Sequence, residues 1–369
     1  MRWLFLFVLI LWSGSSAIHA REFEAEGSDL LMGVGAIQIA RAGAVVAADN
    51  GVYSLYWNPA GLADLEHNAI AMTGQFHRAL AHVGFLGAAF VLPTDARWGV
   101  HSVLGFSYLP RAHFTAKGKF KDKEMETMFV QVALPGLPGG FDGDLRSKTN
   151  DYRIGLGLRW DRLPNLSLGA SVGRVRCHTV FTGYRPRSVG QVSADITARA
   201  TSIDLGAKYR LNDDLTFGIT LKHLHSDLTS RVVITEGGVP KAHTSLTPFI
   251  KDLTVGLDYR YSPKWEFGLV YQTLFGQYGN DPFDIKLLRA SATYHGTSLD
   301  YHVGLIAPIT MQTDVIKDFK LPAPAMPTFG VSYETGHWTL GATMYIHPIM
   351  SLTTRKITPA MDLSVGYRF

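Results

Sequence analysis

The sequence is poor in several features that would otherwise decide its class. Its 369 residues include one cysteine, Cys177, so no disulfide can form within the chain. After residue 20 it has no run of roughly 18 consecutive apolar residues, the length that a transmembrane helix needs. The formal net charge is only +4, and the Lys and Arg residues are scattered rather than grouped, which argues against a nucleic-acid partner.

The first 20 residues have the pattern of a cleaved secretory signal peptide. Arg2 gives a positive start, an uncharged apolar run extends from Trp3 to Trp12, and small residues offer cleavage points after Ala17 or Ala20. That apolar run is too short for a stable membrane anchor. If the mature chain enters a membrane, it must form a closed barrel, because only helices and closed barrels satisfy every backbone group in lipid.

A hairpin pattern repeats through the mature chain. Alternating apolar residues lead to a Tyr or Trp, a short polar turn and a second alternating run, as in 154–172, 205–221, 255–271 and 329–346. In the third of these, Val255 and Leu257 share one face with Tyr259, whereas Asp258 and Arg260 share the other. This period of two predicts strands with one apolar face, but a soluble β-sandwich would show the same alternation.

Three further features favour a membrane barrel. Aromatic residues gather at the turn ends, among them Trp160, Trp265 and Trp338, where a barrel has an interfacial girdle. Tight turns alternate with connections that we expect to be long loops near 111–124, 179–198, 229–250, 275–284 and 308–326. The last strand alternates apolar and polar residues and ends in Phe369, as does the signal read by the barrel-insertion machinery, which is therefore an expected partner.

These features predict an all-β fold, a transmembrane antiparallel β-barrel of about 14 strands over residues 67–369, an even count as in single-chain bacterial barrels. Within the uncertain segment 110–148, Met125–Leu134 could be a further strand or part of a folded external loop. We expect an outer-membrane monomer in contact with outer-membrane lipids, its signal peptide cleaved and both ends of the mature chain in the periplasm.

Residues 21–66 lack strand alternation and are rich in Ala and other small residues, so they could fold into the lumen as a plug. The stretch from Ala40 to Asp49, followed by Asn58-Pro59-Ala60, resembles the N-terminal hatch of the FadL family of outer-membrane transporters, which has TodX-type and PorV-like relatives. The segment 321–333 also resembles that family's approach to a late strand. The resemblance implies a hatch and passive uptake of long-chain fatty acids or other hydrophobic compounds.

The resemblance implies a route with an external apolar groove, an internal pocket and a side opening governed by the hatch. The expected gating residues of the hatch are Arg41, Gly43, Asn58, Pro59, Ala60 and Gly61. Asn58 to Gly61 has the turn chemistry to pin the hatch to the wall, although an ordinary turn would look the same. Phenylalanines in the expected loops, above all Phe114, Phe181 and Phe275, could line the groove or simply pack the loops together.

Strand parity places three cations on the inward face: Arg153, Lys208 and Lys222. Each could meet a carboxylate head group, or it could line a wet lumen in ion pairs, as polar lumen residues commonly do.

No catalytic chemistry stands out, and we expect neither an enzyme nor a cofactor. Gly33-Val-Gly35 lacks the third glycine and the preceding strand of a dinucleotide-binding loop. His223 and His225 have no third ligand nearby, so no metal site is expected. The alternatives to a transporter of hydrophobic compounds are a PorV-like accessory that binds secreted proteins and a general porin.

Overall fold

A computed structural model describes most of the chain after residue 21. The described residues are 22–26, 32–77, 80–93, 99–120, 141–184, 191–224, 227–236, 239–248, 250–278, 281–313, 325–347, 351 and 357–369. The predicted signal peptide and residues 121–140 of the uncertain 110–148 segment lie outside this part of the chain.

The chain forms antiparallel strands in the positions that alternation predicts. Their bounds are β1 Glu22–Glu26, β2 Ala69–His77, β3 Leu80–Val91, β4 Val100–Phe120, β5 Phe141–Trp160, β6 Leu163–Tyr184, β7 Gln191–Arg210, β8 Leu215–Leu224, β9 Asp227–Glu236, β10 Val239–Pro248, β11 Lys251–Ser262, β12 Trp265–Tyr278, β13 Asp281–His295, β14 Asp300–Thr313, β15 Met326–Thr335, β16 Trp338–Ile346 and β17 Pro359–Arg368.

The strands close into a barrel because β17 pairs with β2, from Met361 opposite Phe76 to Arg368 opposite Ala69. Strands β8 and β9 both pair with β7 and act as one interrupted wall strand; β10 and β11 continue one another in the same way. Strand β1 pairs with the far part of β4, from Glu22 opposite Lys117 to Glu26 opposite His113. The wall therefore has 14 strands, which confirms the predicted fold class.

The two faces of the wall differ as the period of two requires. On β2, Ile70 and Met72 are exposed on the outside, whereas Ala69, Ala71 and Thr73 are buried on the inside. The last strand behaves likewise, with Leu363 facing out and Asp362 facing in. A wall that is apolar outside and polar inside is the pattern of a barrel surrounded by lipid.

The predicted long loops are wrong over much of their length, because strands occupy these positions. Strands β4, β6 and β7 continue well past the apolar belt, and β9 and β10 form a paired hairpin across 227–248. The tight turns are where the sequence predicts them, between β5 and β6, β11 and β12, and β15 and β16. We call this end of the barrel the short-turn rim.

Phe369 lies at the short-turn rim, where its amide donates to the carbonyl of Asn68. Strand β1 instead pairs with residues 113–117 of β4, toward the opposite rim. The expected placement of both ends of the mature chain on one side is therefore not seen for residues 22–26.

Residues 32–65, here called the N-terminal segment, are mostly buried and contain the helical turns of the fold. An α-helix spans Ala36–Ala40, a second spans Ser54–Trp57, and 3-10 turns span Gly51–Tyr53 and Pro59–Asp64. No helix in the described part of the chain is long and apolar enough to cross a membrane.

Candidate functional site

The N-terminal segment follows the inner wall closely, and inward-facing glycines make room for it. A Cβ added at Gly330 would meet Ala40, one at Gly304 would meet Ala42, and one at Gly268 would meet Ala44. Further round the wall the same holds for Gly218 against Val46 and Gly169 against Pro59. Small residues on both sides therefore let two backbones approach to contact, which explains the Ala-rich composition of the segment.

The Asn58-Pro59-Ala60-Gly61 motif docks against β6 and β7. The side-chain amide of Asn58 donates through Nδ2 to the carbonyl of Val46 at 2.8 Å and to that of Ala207 on β7 at 3.2 Å. Its Oδ1 accepts from the Ala60 amide at 3.1 Å and caps the 3-10 turn that begins at Pro59. Asn58 is fully buried, so every polar atom of its side chain is used to join the segment to itself and to the wall.

Arg41 forms the main charged contact between segment and wall. Its guanidinium lies 2.5 Å from Asp258 of β11 and 2.6 Å from Glu266 of β12. Burial disfavours the charged guanidinium, but the two carboxylates outweigh it, so the pKa of Arg41 is raised. Asp49, the charged residue at the end of the Ala40–Asp49 stretch, is exposed, and its carboxylate accepts from the backbone amide of Gly51 at 3.0 Å.

Gly43 holds a backbone conformation that suits glycine, with φ at +70°. A Cβ there would lie 2.6 Å from the Trp57 ring and 2.8 Å from Arg289 Nη1. The Trp57 indole donates to the carbonyl of Val34 at 2.9 Å, and Arg289 of β13 donates to the carbonyl of Ala42 at 2.8 Å. Gly43 thus lies at a crowded crossing between the segment and the wall.

The wall is interrupted beside the N-terminal segment. Strand β2 shifts register against β3 between Thr73 and Gly74, and among the described residues the β3–β4 ladder covers only Leu86–Val91. Tyr53 lies on the inner side of this interruption. Its hydroxyl donates to the carbonyl of Met72 on β2 at 3.1 Å, and its ring centroid lies 4.7 Å from that of Phe85 on β3. Burial raises the pKa of Tyr53 to about 12. This interrupted part of the wall is therefore covered from inside.

The three predicted lumen cations all face inward, and each has a partner. Arg153 pairs with Asp151 at 2.8 Å and with Asp204. Lys208 pairs with Asp64 of the N-terminal segment and donates to the carbonyl of Ala48 at 2.9 Å. Lys222 lies 4.0 Å from Asp252 and 4.4 Å from the centre of the Tyr56 ring. Such pairing compensates buried charges in a lumen.

The expected loop position of the groove phenylalanines is wrong, because all three lie in strands. Phe114 is in β4, paired with Ser147 of β5. Phe181 is in β6 and is fully buried, whereas Phe275 is in β12 and exposed on the outside of the wall. Their role in an external groove stays a prediction.

The inside of the barrel contains an apolar cluster that the sequence pattern did not predict. Its members from the wall, here called the lumen apolar cluster, are Ile285, Leu287, Ile306, Met326 and Tyr345. Met32 and Ile39 of the N-terminal segment pack against them. The Tyr345 hydroxyl gives the cluster one polar edge, because it donates to Asp362 at 3.0 Å. An apolar surface with few polar groups is typical of a site for hydrophobic molecules.

The sequence carries a signal for this cluster. Leu287 and Leu288 are consecutive apolar residues on opposite faces of β13, and Leu305 and Ile306 are the same on β14. In a strand that lines a polar lumen, every second residue should be polar. Two consecutive apolar residues therefore indicate a place where the lumen itself is apolar.

Other chemistry is sparse in the part of the chain that the structure describes. No group of three or more His, Cys, Asp or Glu residues there could hold a metal ion. A recess at the short-turn rim is polar, lined by Asp64, Arg159, Lys208 and Arg210 among others, and does not suit a hydrophobic ligand.

Comparisons with known proteins agree with the geometry. The toluene transporter TbuX of Ralstonia pickettii superposes with a TM-score of 0.63 at 15% identity, covering 92% of this chain and 99% of that one. The P. putida toluene transporter TodX has a TM-score of 0.59 at 15% identity, covering 92% of this chain and 99% of that one. A Pseudomonas aeruginosa FadL homologue has a TM-score of 0.58 at 10% identity, covering 94% of this chain and 99% of that one. The chain has the FadL-type fold. A closed barrel of this fold fits an outer-membrane protein.

The likeness lies in the structure rather than in the sequence. No family model matches the chain, and no curated protein sequence does. The resemblance carried by Asn58-Pro59-Ala60 is thus confirmed at the level of the fold.

Proposed function

We propose that this chain is an outer-membrane transporter that takes up hydrophobic small molecules, such as long-chain fatty acids or other apolar compounds. Residues 21–66 would be its hatch and residues 67–369 its barrel, with the short-turn rim in the periplasm. The observation that carries the proposal is that one segment covers both an apolar surface inside the barrel and an interruption in the wall. The N-terminal segment covers the lumen apolar cluster with Met32 and Ile39, and it covers the interrupted wall with Tyr53.

An apolar cargo would bind in place of the segment's own side chains. Each CH₂ moved from water to an apolar surface gains roughly 0.8 kcal/mol, so a long acyl chain can compete with Met32 and Ile39 for the lumen apolar cluster. Displacement at that end of the segment would loosen Tyr53 at the other, beside the interruption between β3 and β4. Cargo would leave through the wall when Tyr53 moves away. No bond is broken, and no cofactor is needed.

A carboxylate head group, where the cargo has one, would have to compete with existing ion pairs. Arg153, Lys208 and Lys222 each already face an acidic partner. Lys208 and Lys222 also contact the N-terminal segment, so a carboxylate bound there would weaken the docking of the hatch. We therefore propose these two as the cations that sense an acidic cargo.

A matched pair of variants tests the cargo site. Leu287 and Leu288 are adjacent on β13, but Leu287 faces the lumen and Leu288 faces outward. Leu287→Ala removes roughly 2 kcal/mol of apolar contact, so the affinity for a fluorescent fatty acid or toluene should fall about thirtyfold. Leu288→Ala should leave the affinity unchanged.

Three outcomes would overturn the proposal. The first is equal ligand affinity in the two variants. The second is a solvent extract of the purified barrel that contains no amphiphile, combined with a large open conductance, which would indicate a porin. The third is a secreted protein that co-purifies in stoichiometric amount while no hydrophobic ligand binds, which would favour the PorV-like alternative.

A further inference from the structure

The outer surface of the barrel is strongly basic on one side. Above the apolar belt, on the side away from the short-turn rim, strands β5, β6, β7 and β9 present a set of exposed cations, here called the outer basic patch. Its members are Arg146, Lys148, Arg174, Arg176, Arg199 and Arg231. All belong to the outward-facing parity of their strands, so none of them points into the lumen.

Strand pairing brings these cations side by side. Arg176 of β6 lies directly opposite Arg199 of β7. Two residues further along, Thr197 pairs with Arg231 of β9 on one side and with His178 on the other, and His178 in turn faces Lys148 of β5. The patch is therefore a continuous surface across four neighbouring strands.

The patch has little compensating charge. Within the described residues, no carboxylate lies at ion-pair distance from Arg176, Arg199 or Arg231. Among the side chains that the structure describes on these strands, the exposed acids are Asp195, which is 3.4 Å from His178, and Asp144. Like charges directly opposite one another in a sheet are destabilising, so an external anion between Arg176 and Arg199 would relieve their repulsion.

The height of the patch matches the edge of a bilayer. On β5 the exposed residues run from Leu156 and Ile154 through Tyr152 to Lys148 and Arg146, from apolar through aromatic to basic. Tyr152 pairs with Arg174, and its ring lies 5.2 Å from that of Tyr108. Aromatic rings mark the membrane interface, so the cations beyond them lie at the level of the head groups.

Strands β12 and β14 differ in their described parts away from the short-turn rim. There Phe275 of β12 and Ile309 of β14 remain exposed and apolar. On β13, which lies between them, Lys286 is paired with Asp284 at 2.9 Å.

We infer that the outer basic patch binds the phosphate groups of lipid head groups in the leaflet at this rim. Arg side chains suit this task, because the planar guanidinium donates two parallel hydrogen bonds to phosphate oxygens. A phosphate between Arg176 and Arg199 would receive bonds from both and remove their repulsion. The leaflet is the outer one if the proposed orientation holds, and in this respect the inference rests on the proposed function.

Lipid titration of the full-length protein tests the inference. The purified chain in detergent would be titrated with bisphosphorylated lipid A, with its monophosphorylated form and with phosphatidylcholine, and bound lipid counted by native mass spectrometry. We expect affinity to increase with the net negative charge of the lipid, because the choline of phosphatidylcholine neutralises its single phosphate. The Arg176→Gln/Arg199→Gln double variant should bind the bisphosphorylated lipid roughly thirtyfold more weakly. Arg162→Gln, an exposed cation in the β5–β6 turn at the other rim, should bind like the unaltered protein.

The outcomes separate the inference from transport. Heat-modifiable migration in gels would confirm that each variant is a folded barrel, and Arg231→Gln offers a milder second test. Equal binding by the double variant and Arg162→Gln, or affinity independent of the net negative charge of the lipid, would overturn the patch. Because the titration uses no transported cargo, it can succeed where fatty-acid or toluene binding fails. A double variant that loses lipid but keeps cargo binding would also locate the patch outside the route.

Discussion

The side-chain amide of Asn58 lies 3.2 Å from the carbonyl oxygen of Ala207, which joins the N-terminal segment to the backbone of β7. The same amide donates to Val46, so one side chain connects two parts of the segment and the wall. A residue in this position controls whether the segment can leave the wall.

Replacement of Asn58 by Ala should release this contact. The change leaves the carbonyl of Val46 without its donor and removes the cap of the 3-10 turn, each worth about 1–2 kcal/mol. We expect faster amide exchange in residues 45–63 and brief open events in single-channel recordings. Asn165→Ala, at an exposed position near the start of β6, is the control. Unchanged exchange in both variants would contradict an anchoring role.

Gly206→Ala tests the close approach from the side of the wall. A Cβ at Gly206 would overlap Asn58 Oδ1, whereas one at Gly84 would meet its nearest atom at an ordinary 3.7 Å. Gly206→Ala should therefore expel Asn58 and destabilise docking by about 1–3 kcal/mol, as overpacking does. Gly84→Ala should have little effect. Limited proteolysis of the N-terminal segment would measure the difference, and equal cleavage would argue against the contact.

Arg41→Gln should be the most disruptive single change in the N-terminal segment. It leaves Asp258 and Glu266 facing each other without a cation, at a cost of about 3–5 kcal/mol. Thermal unfolding followed by near-ultraviolet circular dichroism would measure the loss. The triple variant with Asp258→Asn and Glu266→Gln should recover most of it. Failure of this recovery would mean that Arg41 acts through packing rather than charge.

Alkaline pH should weaken the cover over the interrupted wall. Burial raises the pKa of Tyr53 to about 12, above the ordinary value of about 10, so the neutral hydroxyl is favoured in the docked segment. Its contribution is complete below pH 10 and is lost as pH rises through 12, by about 3 kcal/mol in all. Amide exchange around Tyr53 should therefore rise between these values.

The Tyr53→Phe variant has no hydroxyl to ionise at position 53, so its amide exchange there should show no rise between pH 10 and 12. At pH 8 its N-terminal segment should dock more weakly than that of the unaltered protein. Tyr261→Phe, at an exposed position, should keep the step. An identical alkaline step in Tyr53→Phe would assign it to another group.

The sequence predicted the wall where one face meets lipid and the other does not. Leu257 and Tyr259 alternate with Asp258 because the two sides of β11 have different surroundings, and the terminal strand ending in Phe369 does the same. Residues 179–184 and 193–198 were mistaken for loop. Beyond the apolar belt both faces of β6 and β7 lose the constraint of lipid, so the outward Thr197 and Asp195 look like loop residues.

The site was only partly predictable for a related reason. The Asn58 motif and Arg41 could be recognised from the residues, because turn chemistry and a lone charge in an Ala-rich segment are local signals. The lumen apolar cluster depends on the distant pairing of β13 with β14, which brings Leu287 and Ile306 to one surface. The local sequence pattern of either strand does not predict which residues of β13 and β14 lie side by side.

The seam between β17 and β2 has a consequence for the order of assembly. The two strands that close the wall are the first and last of the barrel in sequence, so the cylinder can be completed only after the strands between them have formed. The N-terminal segment contacts glycines on strands from β16 round to β6, a ring that an already closed cylinder would not easily admit. Encapsulation should therefore precede closure, and a variant that delays docking of the segment should accumulate as an open sheet whose seam is still unpaired.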